Sequence, residues 1–170
     1  MSVTSFILRA SGNVALSDNS NETFLALYNP FGDDFSLSVN GNEAFRINYP
    51  SKKSEIEGMD IYSAASVLSE GAIAISSDPS DSGVVVSSLA MVVTGRVTFS
   101  DNTQHDFSYE VRDDGSVYNH VEYDDEGNEA WASIAGEVED TAAATKEIVT
   151  NFFENLYSTD ADPITITLTT

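Results

Sequence analysis

The sequence predicts a mainly β protein: an antiparallel β-sandwich with one long flanking α-helix near the C-terminus. Three observations carry that expectation. Short runs that alternate apolar and polar residues recur through most of the chain. Turn-forming clusters such as Asn-Gly and Asp-Asp-Gly separate them. One late segment, 138–157, instead repeats its apolar residues at helical spacing. No low-complexity linker, proline-rich spacer or repeat of fixed period divides the 170 residues, so a single domain over 1–170 is expected.

Four strand signals come first: "VTSFILRA", "TFLALYN", "DFSLSVN" and "EAFRINY". The last two are joined by "NGN", where Asn40 and Gly41 can take the positive φ values of a two-residue hairpin turn. Residues 51–70, with Lys52 and Lys53, form an exposed loop or short helix suited to a projecting arm, and "AIAISS" follows as a strand. Gly83 to Gly136 is expected to form a four-stranded antiparallel meander broken by "SDNT", "DDG" and "DDEGN".

Alternation within the meander suggests a register. Met91, Val93, Val97 and Phe99 share a face with Phe107, Tyr109 and Val111 if Phe99 lies opposite His105 and Val97 opposite Phe107. Arg112 then faces Ser116, and a fourth strand, "EAWASIAG", sets Trp131 opposite Val121 on the apolar side. Arg96, Asp106, Ser108, Glu110, Tyr118, His120 and Glu122 occupy the other face.

The helix 138–157 begins among Glu137, Glu139 and Asp140, whose carboxylates suit the positive end of a helix dipole, with Asp140 or Thr141 as cap. Its apolar stripe of Ile148, Phe152 and Leu156, flanked by Val149, Phe153 and Tyr157, is wider than one sheet face requires. That width reads first as core, and as the other reading it makes Phe153 and Tyr157 candidate contacts with another subunit. The terminal strand, 163–170, carries Ile164, Ile166 and Leu168 on one side, and can close its own sheet or extend a neighbour's edge.

Charge restricts the function classes. With 7 Lys+Arg against 28 Asp+Glu, the formal net charge is -21, which disfavours binding to nucleic-acid phosphates or anionic lipid. The N-terminus lacks a basic leader followed by a long apolar run, and "GVVVSSLAMVVTG" is too short to span a bilayer, so no signal peptide, transmembrane segment or membrane partner is expected. Cys 0 excludes disulfides and thiolate chemistry. A Ser108, His120 and Asp106 trio can be drawn on the polar face, but a flat sheet supplies neither a pocket nor oxyanion donors. The expectation is no enzyme and no required cofactor. Asp113, Asp114, Asp124 and Asp125 are the candidate ligands for Ca2+ or Mg2+, although acidic residues with glycine are also common turn formers.

In composition and element order the chain resembles tailed-bacteriophage virion proteins, tail-tube subunits above all, whose fold is a β-sandwich with a flanking helix and a long loop. That resemblance implies a non-enzymatic structural subunit located in the virion, with copies of itself and other virion proteins as partners. The late helix and last strand depart from the usual tube order, which keeps tail, neck, capsid-decoration and jelly-roll capsid roles open. A carbohydrate-binding or adhesive surface module is the alternative from another class.

Overall fold

The computed structural model describes residues 3–29, 34–48, 61–76, 83–119, 129–157 and 162–167. The protein is mainly β, with a long helix near the C-terminus lying against an eight-stranded mixed sheet. The strands are β1 Val3–Leu16, β2 Asn21–Asn29, β3 Asp34–Val39, β4 Asn42–Asn48, β5 Val86–Phe99, β6 Gln104–Val111, β7 Val117–Asn119 and β8 Ile164–Thr167. Among the described residues two helices, α1 Ile61–Ser76 and α2 Glu129–Asn155, form the layer over the sheet. The strands thus join one sheet in the order β7-β6-β5-β1-β2-β3-β4-β8, and the facing layer is helical. Among the described residues only the β4–β8 pair is parallel.

This order explains the helices. The chain must cross from β4 to β5, on the far side of β1, and later from edge strand β7 to edge strand β8. Seven interstrand spacings of about 4.8 Å make the sheet roughly 34 Å wide. The 27 residues of α2, at about 1.5 Å each, reach about 40 Å, enough to carry the chain diagonally from edge to edge.

Alternation places the core as expected. Phe6, Leu8 and Ala10 of β1, Phe24, Ala26 and Tyr28 of β2, and Met91, Val93, Val97 and Phe99 of β5 are buried on one face. An aromatic row crosses that face: Phe107 stacks on Phe6 at 5.8 Å, and Tyr28, Phe35 and Phe45 continue at 6.4, 6.1 and 6.4 Å. The helix α2 closes both ends, with Trp131 6.2 Å from Phe107 and Phe152 5.4 Å from Phe45. Gly95 of β5 makes the row possible, because a Cβ there would sit 2.4 Å from Phe107 Cζ and 2.1 Å from the Ile7 carbonyl oxygen.

Several local expectations are corrected. Within "AIAISS", residues 72–76 are helical, not a strand, and end α1; Val67, Leu68, Ala72 and Ile75 are buried at helical spacing while Ile73 is exposed. Gly71 is no breaker: a Cβ there would meet Ile47 Cδ1 at 2.7 Å and Ile148 Cδ1 at 3.1 Å, so it lets α1 approach β4 and α2. The segment 51–60 lies outside the described residues. "EAWASIAG" is likewise helical, so the long helix begins at Glu129 instead of 138. Trp131, Ile134, Val138 and Ala142 are buried three or four residues apart, a period that no strand can satisfy. Trp131 is in the core as expected, but it arrives there from the helix. Glu137, Glu139 and Asp140 consequently lie within α2, not at its start. Thr141, expected as a cap, is buried, and its hydroxyl donates to the Glu137 carbonyl at 2.7 Å.

The β5–β6 register also differs by two residues: Val97 pairs with His105 and Gly95 with Phe107. A two-residue shift leaves every side chain on its expected face. The difference arises at the turn, which closes through three residues instead of five because Asn102 takes φ 69° and Phe99 N–H donates to the Thr103 carbonyl at 2.9 Å. The expected Arg112–Ser116 alignment is present, with Arg112 N–H donating to the Ser116 carbonyl at 2.9 Å. Asn40 and Gly41, at φ 52° and 86°, form the expected two-residue turn between β3 and β4.

Candidate interaction surfaces

The acidic turns have a shared construction. "LSDNS", "FSDNT" and "RDDGS" end three strands, and in each the first residue donates its N–H to the carbonyl of the fifth at 2.9 Å. The fourth residue, Asn19, Asn102 or Gly115, takes φ 69°, 69° or 86°. The central aspartate then accepts two hydrogen bonds from the last residue: Asp18 from Ser20, Asp101 from Thr103 and Asp114 from Ser116, with backbone distances of 2.9, 3.0 and 2.9 Å. These bonds, the hydroxyl's foremost, hold all three carboxyls below the usual aspartate value of 3.8.

This construction yields a pH expectation. A carboxyl whose folded pKa is depressed contributes stability above its unfolded value and loses it as pH falls through the folded value. Asp101→Asn should therefore unfold at lower temperature than the parent at neutral pH, and the difference should shrink as pH drops below 3.8. Thermal melts of both chains across pH check this; a constant difference would show that the ionised carboxylate is not what stabilises the turn.

Of the candidate cation ligands, Asp114 is engaged in its turn, and Asp113 accepts the Leu89 N–H through its side chain and the Lys146 ammonium through its backbone carbonyl. Asp124 and Asp125 lie outside the described residues, as does His120 of the drawn catalytic trio. Among the described residues no three His, Asp or Glu side chains gather as a metal site. Asp106 pairs with Arg96 at 2.6 Å, which lowers the Asp106 carboxyl and raises the Arg96 guanidinium; Ser108 lies opposite Thr94. His105, expected only as a register partner of Phe99, is buried and stacks on Trp131 at 3.9 Å. Its odd-numbered place in β6, in step with Phe107 and Tyr109, was the available signal.

The proposed contact residues separate. Phe153 is fully buried inside this chain, with its ring 5.0 Å from Tyr157, so it belongs to the core instead of an exposed contact. Ile164 and Ile166 are half-buried on β8, which pairs with β4 of the same chain; Leu168 lies outside the described residues. Tyr157 and Ile164 meet in a cleft of about 220 Å³ beside the β3–β4 turn, with Glu43 and Asp162 among its lining. Burial, followed by the hydrogen bond to Glu22 and that carboxylate's charge, pushes the Tyr157 hydroxyl up to about 12. Glu22 also accepts from the Asn40 amide, so the cluster ties β2, the β3–β4 turn and the end of α2 together.

Among the described residues no helix lies over the second face of the sheet. Ile7 and Leu27 are 50% and 45% exposed, and Ser11, Ala90 and Thr94 of the central strands are open to solvent. Alternation sets Arg9, Arg46 and Arg96 on this face, with Arg112 at its margin, 3.8 Å from the Tyr118 ring centre. Three arginines have carboxylate partners on the same side: Arg46 with Glu43, Arg96 with Asp106, and Arg112 with Glu110. Arg9, opposite Leu27 and Thr94, forms no ion pair among the described residues. Among the described side chains of this face, four cations against three carboxylates leave an excess of one positive charge, Arg9. The outward side of the helices is the reverse: Glu70, Glu139, Asp140 and Glu147 are exposed, and Glu137 and Glu154 half-exposed. The open face was partly legible in "FILRA", where Ile7 breaks an otherwise clean alternation.

No helix among the described residues is long and apolar enough to cross a membrane. No family model matches the chain, and neither the curated proteins nor the solved structures contain a match to it.

Proposed function

We propose that the protein is a non-enzymatic structural subunit of a symmetric assembly, most specifically a tail, neck or capsid component of a tailed-phage virion. The observation that carries this reading is the uncovered sheet face. Central strands of a wide sheet present Ile7, Leu27 and small hydroxyl residues to solvent. Interfaces favour arginine and apolar groups, and this face carries four arginines, three of them neutralised by carboxylate partners, beside Ile7 and Leu27. The eight strands average about eight residues; at about 3.3 Å each the face measures roughly 34 by 26 Å, comparable to the ~800 Å² per partner of a standard interface. The virion assignment draws further support from the acidic composition and element order, and the net charge of -21 suits a subunit that must not retain DNA by contact.

The carbohydrate-binding alternative depended on an exposed aromatic platform. Trp131 is only 5% exposed, which removes the strongest stacking surface.

Light scattering of the purified chain across protein concentration and NaCl tests the assembly reading. Salt shortens the reach of the self-repulsion, so the mass should rise from 18.3 kDa to a multiple of it. Electron microscopy of that material should show rings, tubes or shells. A mass fixed at 18.3 kDa under every condition would overturn the proposal.

A further inference from the structure

From the opposed charge of its two surfaces we infer that this chain associates head to tail, the open sheet face of one copy seating on the outward helical face of the next. The inference rests on the assembly-subunit reading and specifies its contact. An interface of one sheet face on another, related by a two-fold axis, would bring Arg9 and its margin of arginines against their own copies. Sheet on helix instead brings the unpaired Arg9 toward Glu139, Asp140 and Glu147, all exposed on α2. Lys146, the one cation among the described residues of α2, already donates to the Asp113 carbonyl at 3.1 Å.

Both surfaces also carry apolar groups of matching kind. Ile7 and Leu27 flank Arg9 on the sheet, whereas Ile73, 62% exposed, stands on the outward side of α1. These provide desolvated contact, and the charges orient it. Because the two patches differ, the contact is heterologous: each copy offers one of each, and repetition closes a ring or extends a filament. A dimer with both patches satisfied is not formed by this contact, so the mass should proceed beyond two copies.

Charge exchange tests the pairing at an ionic strength where the parent chain assembles. Arg9→Glu should raise the protein concentration needed for assembly by roughly tenfold or more, since it sets like charges across the contact. It changes the formal net charge from -21 to -23. Combining it in turn with Glu139→Lys, Asp140→Lys or Glu147→Lys returns the chain to -21, so a recovered mass cannot be ascribed to weaker overall repulsion. At least one combination should restore assembly that both of its single substitutions impair. All four positions are exposed, and unchanged circular dichroism and melting temperature establish that each variant is folded. Assembly by Arg9→Glu equal to the parent's would overturn the inference. So would loss in Arg9→Glu with no effect of any helix substitution; that result would indicate sheet-to-sheet contact and leave the subunit reading standing. A parent chain that stays monomeric would overturn both.

Discussion

Phe152→Ala is expected to lower the free energy of unfolding by about 3–5 kcal/mol, the range for deleting a buried aromatic ring. Phe152 is 1% exposed, and its ring lies 5.4 Å from Phe45, 5.3 Å from Phe153 and 5.9 Å from Tyr157. It is the point at which α2 locks onto the β4 end of the aromatic row. Typical domains have only about 5–15 kcal/mol in total, so the variant should be marginally folded. Urea titration monitored by circular dichroism measures the change. Tyr118→Ala is the comparison: Tyr118 is 46% exposed and should cost less than about 1 kcal/mol. Similar costs for the two would mean that α2 does not pack on the sheet as described.

Gly95→Ala should cost about 1–3 kcal/mol by overpacking, and Gly95→Val more. The new methyl group would occupy the space through which Phe107 of β6 reaches across β5 to stack on Phe6 of β1 at 5.8 Å. The ring can be trimmed, but the Ile7 carbonyl oxygen, 2.1 Å from the same point, belongs to the backbone and must shift. A double-mutant cycle separates these contributions. Phe107→Leu shortens the ring side chain, so the Gly95→Ala/Phe107→Leu pair should cost less than the sum of its members. Strict additivity in urea titrations would show that the ring does not fill the space above Gly95.

The aromatic row also shows where sequence reasoning stops. Its strand members were legible because Phe6, Phe35, Phe45 and Phe107 each fall in phase with apolar neighbours two residues away. Trp131 was legible as a core residue for the same reason, but not as a helical one. In a segment of eight residues, "EAWASIAG", apolar positions satisfy strand and helix periods equally well, and only continuity with Val138 and Ala142 distinguishes them. "AIAISS" failed likewise, with Gly71 appearing to separate it from the preceding helical turns.

The acidic turns reveal a similar division. Of these turns only "DDG", with Asp113 and Asp114, suggested a cation or plain turn chemistry, and the recurrence of Asp-Asn-Ser, Asp-Asn-Thr and Asp-Gly-Ser was the available clue. Carboxylate bonding to the residue two positions on is local and could have been read from those triplets. Whether such a turn closes in three residues or five depends on the positive φ of Asn102, which also sets the β5–β6 register.

Sequence alone therefore determined the mainly β class, the faces of the strands, the Asn40–Gly41 hairpin, the existence of a late helix and the excess of negative charge. These follow from periodicity, turn chemistry and composition, all of which act over a few residues. Only the tertiary structure decided that β1 separates β5 from β2, that the two described helices lie on the same side, and that Ile7 and Leu27 on the other face stay exposed. Those outcomes depend on pairing between residues far apart in the chain, such as Ala10 with Val93, where many alternative partners offer similar apolar surface. Burial is proportional to area and blind to direction, so it can specify that a face is covered without specifying which element covers it.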